Sequence, residues 1–240
     1  MNYLFIALIA CAGGFLQAIT GFGAGIVIMI VLPNILSMNL APAVSGAICA
    51  PLTWVMSWRY HKEANLRKII FPSICYIICS TIAIRISKVI DMNGLKPVFG
   101  VFLIVLAVYF MFFANKVKIK GTPIAAVVCG GISGFLGGFF GIGGPLMTLY
   151  FLAVTETKEE YLGSINATFA ITSTYQLLLR IVSGVLTISA GPFVAAGIAG
   201  ILIGRIFGTK VVDKLNGPQM KKAIYIFLAF AGIMTVINSL

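Results

Sequence analysis

The residues best placed to do chemistry in this 240-residue chain are glycines and neutral polar side chains set inside long apolar runs. Two such runs are interrupted, by Gly21-Phe22-Gly23-Ala24-Gly25 and by Gly141-Ile142-Gly143-Gly144-Pro145. Around the interruptions, residues 14–25 and 134–145 match at five of twelve positions without a gap, and both stretches open Gly-Phe-Leu. Glycine removes side-chain packing and proline removes a backbone donor, so a continuous helix through either stretch is disfavoured. The helix starts that result present unpaired N–H groups and a partial positive charge, which suits an anion, and glycine lets the anion approach the backbone. Tight helix packing through small residues is the other use of such glycines. Recurrence of the break at the same place in two runs favours binding.

Neutral donors share these runs: Gln17, Thr20, Ser45, Thr53 and Ser57 early in the chain, then Ser164, Asn166, Thr168, Thr172, Ser173, Thr174 and Gln176. Hydroxyls and amides can donate to an oxyanion without repelling it, or can bond the preceding turn instead. Asn166 and Thr168 lie early in a run that would face the second break. The six acids, Glu63, Asp91, Glu156, Glu159, Glu160 and Asp213, all lie in loops or at run ends. Cation transport and many proton relays call for a carboxylate at membrane depth, so the expected ligand is an anion. Arg180, inside Leu179-Arg180-Ile181, is the deepest cation and the candidate counter-ion, with snorkelling to the interface as its alternative. The candidate binding set is therefore Gln17, Thr20, Gly21, Gly23, Gly25, Gly141, Gly143, Gly144, Asn166, Thr168 and Arg180.

Enzymatic chemistry is not expected. No catalytic pair stands out in any run, and residues 138–144 lack the Lys and Ser or Thr that would follow in a phosphate-binding loop. Cys11, Cys49, Cys75, Cys79 and Cys129 all lie in apolar runs and read as packing residues, Cys75 and Cys79 sharing a helix face. His61, between Arg59, Lys62 and Glu63, reads as an interfacial loop residue. Neither a metal nor a cofactor is implied.

The elements that must hold these residues are membrane spans. Hydrophobic residues make up 60% of the chain and charged ones 10%, against about a quarter charged in soluble domains. A soluble core is thereby excluded, and so is a nucleic-acid-binding domain, because the 17 Lys and Arg sit in short loops between apolar runs. The N-terminus has no positive leader or small-residue cleavage site, so it reads as the first mature segment. Eight apolar units run over 3–36, 41–58, 69–90, 97–114, 122–153, 161–186, 190–211 and 220–238. Units one and five are long and carry the breaks. The expected fold is all-α and polytopic: two repeats of four units, 1–118 and 119–240, the first unit of each a re-entrant or double-short helix. If both broken units cross an even number of times, 13 of the 17 basic residues fall on one side and Arg85, Lys88, Lys96 and Arg180 on the other. That asymmetry makes the basic side cytoplasmic, places both termini outside and inverts the repeats.

The residues 130–145, Gly-Gly-Ile-Ser-Gly-Phe-Leu-Gly-Gly-Phe-Phe-Gly-Ile-Gly-Gly-Pro, together with the first copy and Gly163-Ser164-Ile165-Asn166-Ala167-Thr168, resemble the sulfite exporter TauE/SafE family of probable membrane transporters. The first copy departs from the second where Gln17, Ala18, Ile19 and Thr20 replace Gly137, Gly138, Phe139 and Phe140. The resemblance implies movement of a small sulfur-containing anion, such as sulfite or an organosulfonate, across the cell membrane. With inverted broken helices, it leads to the expectation of a secondary transporter working by alternating access, with a small anion and the lipid bilayer as partners and a homo-oligomer as one arrangement. A membrane scaffold or assembly factor that moves nothing is the competing class.

Overall fold

In a computed structural model the chain is helical, with no strand among the described residues, which are 2–90, 101, 105, 122–220, 222, 223 and 226. Eight α-helices carry the described core: α1 (Asn2–Thr20), α2 (Ala24–Ile35), α3 (Ala41–Arg59), α4 (Leu66–Ile86), α5 (Pro123–Phe140), α6 (Gly144–Val154), α7 (Lys158–Val182) and α8 (Gly191–Val212). Units two, three, six and seven each become one helix. Units one and five each become two, separated by residues 21–23 and 141–143. Nearly all of units four and eight and the junction near 116–121 lie outside the described residues, as do Lys96, Lys116, Lys118, Lys120 and Lys221.

Local chemistry explains the boundaries. The Thr122 hydroxyl accepts the Ala125 N–H at 3.2 Å and Pro123 fills the first turn of α5, where its missing donor costs nothing. Thr157 accepts the Glu160 N–H at 3.1 Å, and Glu159 and Glu160 place negative charge at the N-terminus of α7. Helices α2 and α6 start from Gly23 and Gly143 and, like α3, α4 and α8, have no side-chain cap. Their first N–H groups are left for something else.

Helices α1, α4, α5 and α8 contain segments long and apolar enough to cross a membrane. Along α4, Ile70, Ile74, Ile78 and Ile82 form an outward apolar stripe at helical spacing. The chain is a multi-pass membrane protein. The four apolar helices associate in two pairs, α1 with α8 and α4 with α5, and these are the most extensive helix contacts among the described residues. Glycines make both crossings close. A Cβ on Gly200, Gly204 or Gly208 would run into the α1 carbonyls of Ala7, Cys11 and Phe15, and one on Gly130, Gly134 or Gly138 into the α4 carbonyls of Pro72, Tyr76 and Ser80. Close backbone approach is how apolar helices gain dispersion contacts in lipid, where no hydrophobic force drives them together.

The more polar α3 and α7 cross at the centre. Thr53 Oγ1 lies 3.5 Å from Ser173 Oγ, and the Trp54 indole donates to Thr174 Oγ1 at 2.8 Å. Gly163, near the start of α7, abuts Tyr60 and Ala64 just past the end of α3, so the two helices are antiparallel. His61 sits in a short 3₁₀ turn with its Nδ1 2.7 Å from the Trp58 carbonyl oxygen and its ring stacked on Trp58.

Candidate functional site

The two interrupted stretches meet. A Cβ on Gly25 would begin 3.1 Å from the Gly141 carbonyl oxygen, and one on Gly144 would begin 2.8 Å from the Phe22 ring. Each turn is held by its own chemistry. After α1, Gly21 and Gly23 take φ of +81° and +104°, values only glycine adopts readily. The Thr20 hydroxyl bridges the Leu16 carbonyl at 2.8 Å and the Phe22 carbonyl at 2.6 Å, closing that turn. After α5, Gly141 has φ +70° and its N–H returns to the Gly137 carbonyl at 3.0 Å. The chain folds back at both places: Ala24 lies against Gly13, and Gly143 against the Ser133 carbonyl, in each case on the preceding helix.

Between these turns and the crossing of α3 with α7 lies a cavity of about 90 Å³, room for several water-sized groups or one small polyatomic ion. Seven of the residues expected from the sequence line it: Gln17, Gly23, Gly25, Gly141, Gly143, Gly144 and Arg180. The other four lie elsewhere. Thr20 is spent on the turn, and Gly21 packs on Ile165 of α7. Asn166 donates to the Leu162 carbonyl and Thr168 to the Ser164 carbonyl, both at 2.9 Å within α7.

Six further polar residues reach the cavity from helices the breaks do not mark: Ser45 and Thr53 on α3, Tyr76 on α4, and Thr172, Ser173 and Gln176 on α7. Ser45, Thr53, Thr172, Ser173 and Gln176 belong to the polar set noted in the sequence, while Tyr76 carried no signal there. Its hydroxyl is wedged against Gly137 and Gly143, beside the Gln176 amide, at the start of α6.

The electrostatics run one way. The positive ends of α2 and α6 both face the cavity through Gly23, Gly25, Gly143 and Gly144. Arg180, only 4% exposed, reaches the same space and donates from Nη2 to the Gly138 carbonyl at 2.5 Å. No acidic residue is in the lining. Ser45 Oγ and Gln176 Nε2 are buried and weakly engaged, with only the Cys49 thiol beside the first and the Tyr76 hydroxyl beside the second. A buried donor left unmade costs about 1–3 kcal/mol. Taken together, a cation, two helix starts and two weakly engaged donors suit a small oxyanion, which could accept from all of them and would supply negative charge.

A family model described as "Sulfite exporter TauE/SafE" matches residues 6–235. No curated protein and no solved structure matches the chain.

Proposed function

The chain belongs to the sulfite exporter TauE/SafE family, and from that premise we propose that it is a secondary transporter of a small sulfur-containing oxyanion or organosulfonate, sulfite being the type case. The observation that carries the proposal is the convergence of the α2 and α6 N-termini with buried Arg180 on a cavity that no acidic residue lines. The substrate would sit between the two glycine turns, held by backbone N–H groups, Arg180, Ser45 and Gln176.

Alternating access follows from the internal repeat we infer, residues 1–118 against 119–240, inverted in the membrane with re-entrant or double-short first units. Its support is a contact pattern that maps onto itself when the halves are exchanged. In that exchange α1–α8 becomes α5–α4, α1–α2 becomes α5–α6, α3–α8 becomes α7–α4, and α3–α7 maps onto itself. Thr53 and Ser173, and likewise Trp54 and Thr174, are partners 120 residues apart, where a two-fold axis between α3 and α7 would put them. Both termini would then lie outside the cell, with the basic loops in the cytoplasm.

Proteoliposomes tested with sulfite, sulfate, taurine and an alkylsulfonate measure the proposal directly. Protein-dependent flux of at least one sulfur oxyanion is expected, with loss in Gly143→Leu, whose side chain would enter the cavity wall. Absence of flux for the whole panel from correctly inserted protein, or full activity in Gly143→Leu, would count against it.

A further inference from the structure

The cavity lies off-centre. On α3 its lining residues run from Pro42 to Thr53, leaving out the C-terminal turn, and on α7 they run from Phe169 to Arg180, leaving out the first eleven residues. Because α3 and α7 are antiparallel, both sets point to the same end of the molecule. At the opposite end the crossing is filled by Met56, Tyr161, Leu162 and Ile165, each no more than 1% exposed. The Tyr161 hydroxyl donates to the Thr20 carbonyl at 2.7 Å, fastening the start of α7 to the first glycine turn.

Polar contacts reinforce the same end. Glu160 accepts from Lys68 Nζ at 2.7 Å and from Asn65 Nδ2 at 3.1 Å, while Arg59 grips both oxygens of Asp213 at 2.8 and 2.7 Å. Lys158 Nζ reaches the carbonyls of Val212 and Leu215 at 3.2 and 2.8 Å. All three ion pairs among the described residues lie here. The other end has smaller residues where this one has its plug: 120 positions before Tyr161, Leu162 and Ile165 stand Ala41, Pro42 and Ser45, and Ser45 lines the cavity.

We propose that Tyr161, together with the Lys68–Glu160–Asn65 cluster, is the closure that seals the cavity from the end bearing Arg59, Lys62, Arg67 and Lys68, so that the structure represents a state open only toward the opposite face. With the orientation proposed above, the sealed end is cytoplasmic and the open one external. The assignment rests on that reading for its direction. The seal itself rests on the packing.

Accessibility of one engineered thiol tests it. Leu177→Cys, on the cavity wall, is introduced into a background without the five native cysteines and exposed to a membrane-impermeant maleimide. Right-side-out vesicles should label and inside-out vesicles should not. Adding Tyr161→Phe removes one hydrogen bond of ordinary strength and should raise inner-face labelling roughly two- to tenfold. Glu160→Gln should act in the same direction, and exchanging the charges as Lys68→Glu with Glu160→Lys should restore protection. Monodisperse elution and full labelling after detergent denaturation confirm folding and expression. If Tyr161→Phe does not elute cleanly, Glu160→Gln and the exchanged pair decide. Inner-face labelling of the parent, or labelling that neither variant changes, overturns the proposal. Because no substrate is needed, absent flux with the expected labelling removes the transport reading alone, and flux with unshifted labelling removes the closure alone.

Discussion

Two glycines on the same cavity wall should respond in opposite ways to one methyl group. A Cβ at Gly143 would collide with the Tyr76 hydroxyl and come 2.6 Å from the Ser133 carbonyl oxygen, whereas a Cβ at Gly46 meets nothing within 4 Å. The φ of Gly143 is −108°, so alanine is conformationally allowed there and its reduced chain entropy would stabilise by about 0.4–1 kcal/mol. Overpacking costs about 1–3 kcal/mol. Overpacking wins, leaving Gly143→Ala roughly 1–2 kcal/mol less stable, or about 2–8 °C lower in Tm for a chain of this size. Gly46 lies inside α3, where alanine gains up to about 1 kcal/mol of helix propensity, so its Tm should hold or rise. Adding Tyr76→Phe to Gly143→Ala removes the worst clash but leaves the Ser133 carbonyl, so recovery should be partial. Thermal unfolding in detergent, followed by size exclusion, reads all four proteins. Equal Tm values for Gly143→Ala and Gly46→Ala would refute the wedge geometry of Tyr76.

Arg180→Gln should lower sub-saturating anion flux per inserted protein by about 10- to 150-fold, the worth of one charge-assisted hydrogen bond, and Arg180→Lys should not restore it because an ammonium lacks the planar fork; activity within twofold of the parent would exclude Arg180 from the site. At the sealed end, burial alone would raise the Glu160 carboxyl, but the Lys68 ammonium, the Glu156 N–H and the Asn65 amide together hold it below its usual 4.5. Its stabilising contribution is therefore present above that value and is lost as pH falls through the lowered folded one. Parent Tm should drop more steeply below pH 4.5 than that of Glu160→Gln, and parallel pH profiles would contradict the assignment.

The membrane architecture was legible because hydropathy and glycine act locally. Unit two, read as 41–58, became Ala41–Arg59, and the interruptions fell at Gly21–Gly23 and Gly141–Gly143, where positive φ is needed at three of the residues. Side-chain destinations were harder, because they depend on which helix arrives opposite. Thr168 and Asn166 could serve a ligand or the preceding turn by sequence alone, and they bond the preceding turn of α7. Tyr76 looked like one more apolar residue in an unbroken span, yet the α5 glycines admit it to the start of α6. The deepest cation of the sequence, Arg180, is buried in the cavity, while Arg59, just past the end of its run, pairs with Asp213 at the surface. In the repeat proposed above, equivalence in register would not carry equivalence in role.

The glycine-lined crossing of α1 with α8 has a consequence for how the protein is made. Helix α1 is synthesised before α8, so the carbonyls of Ala7, Cys11 and Phe15 meet their partners only after Gly200, Gly204 and Gly208 have been made, nearly two hundred residues later. Until then α1 must remain in the bilayer without its principal neighbour, and its turn at Gly21 must wait for Ile165 and Tyr161 to cover it. Closing of the α1–α8 crossing is therefore a late, post-insertion event, and a chain stalled before α8 would hold an inserted α1 whose α8-facing side still met lipid.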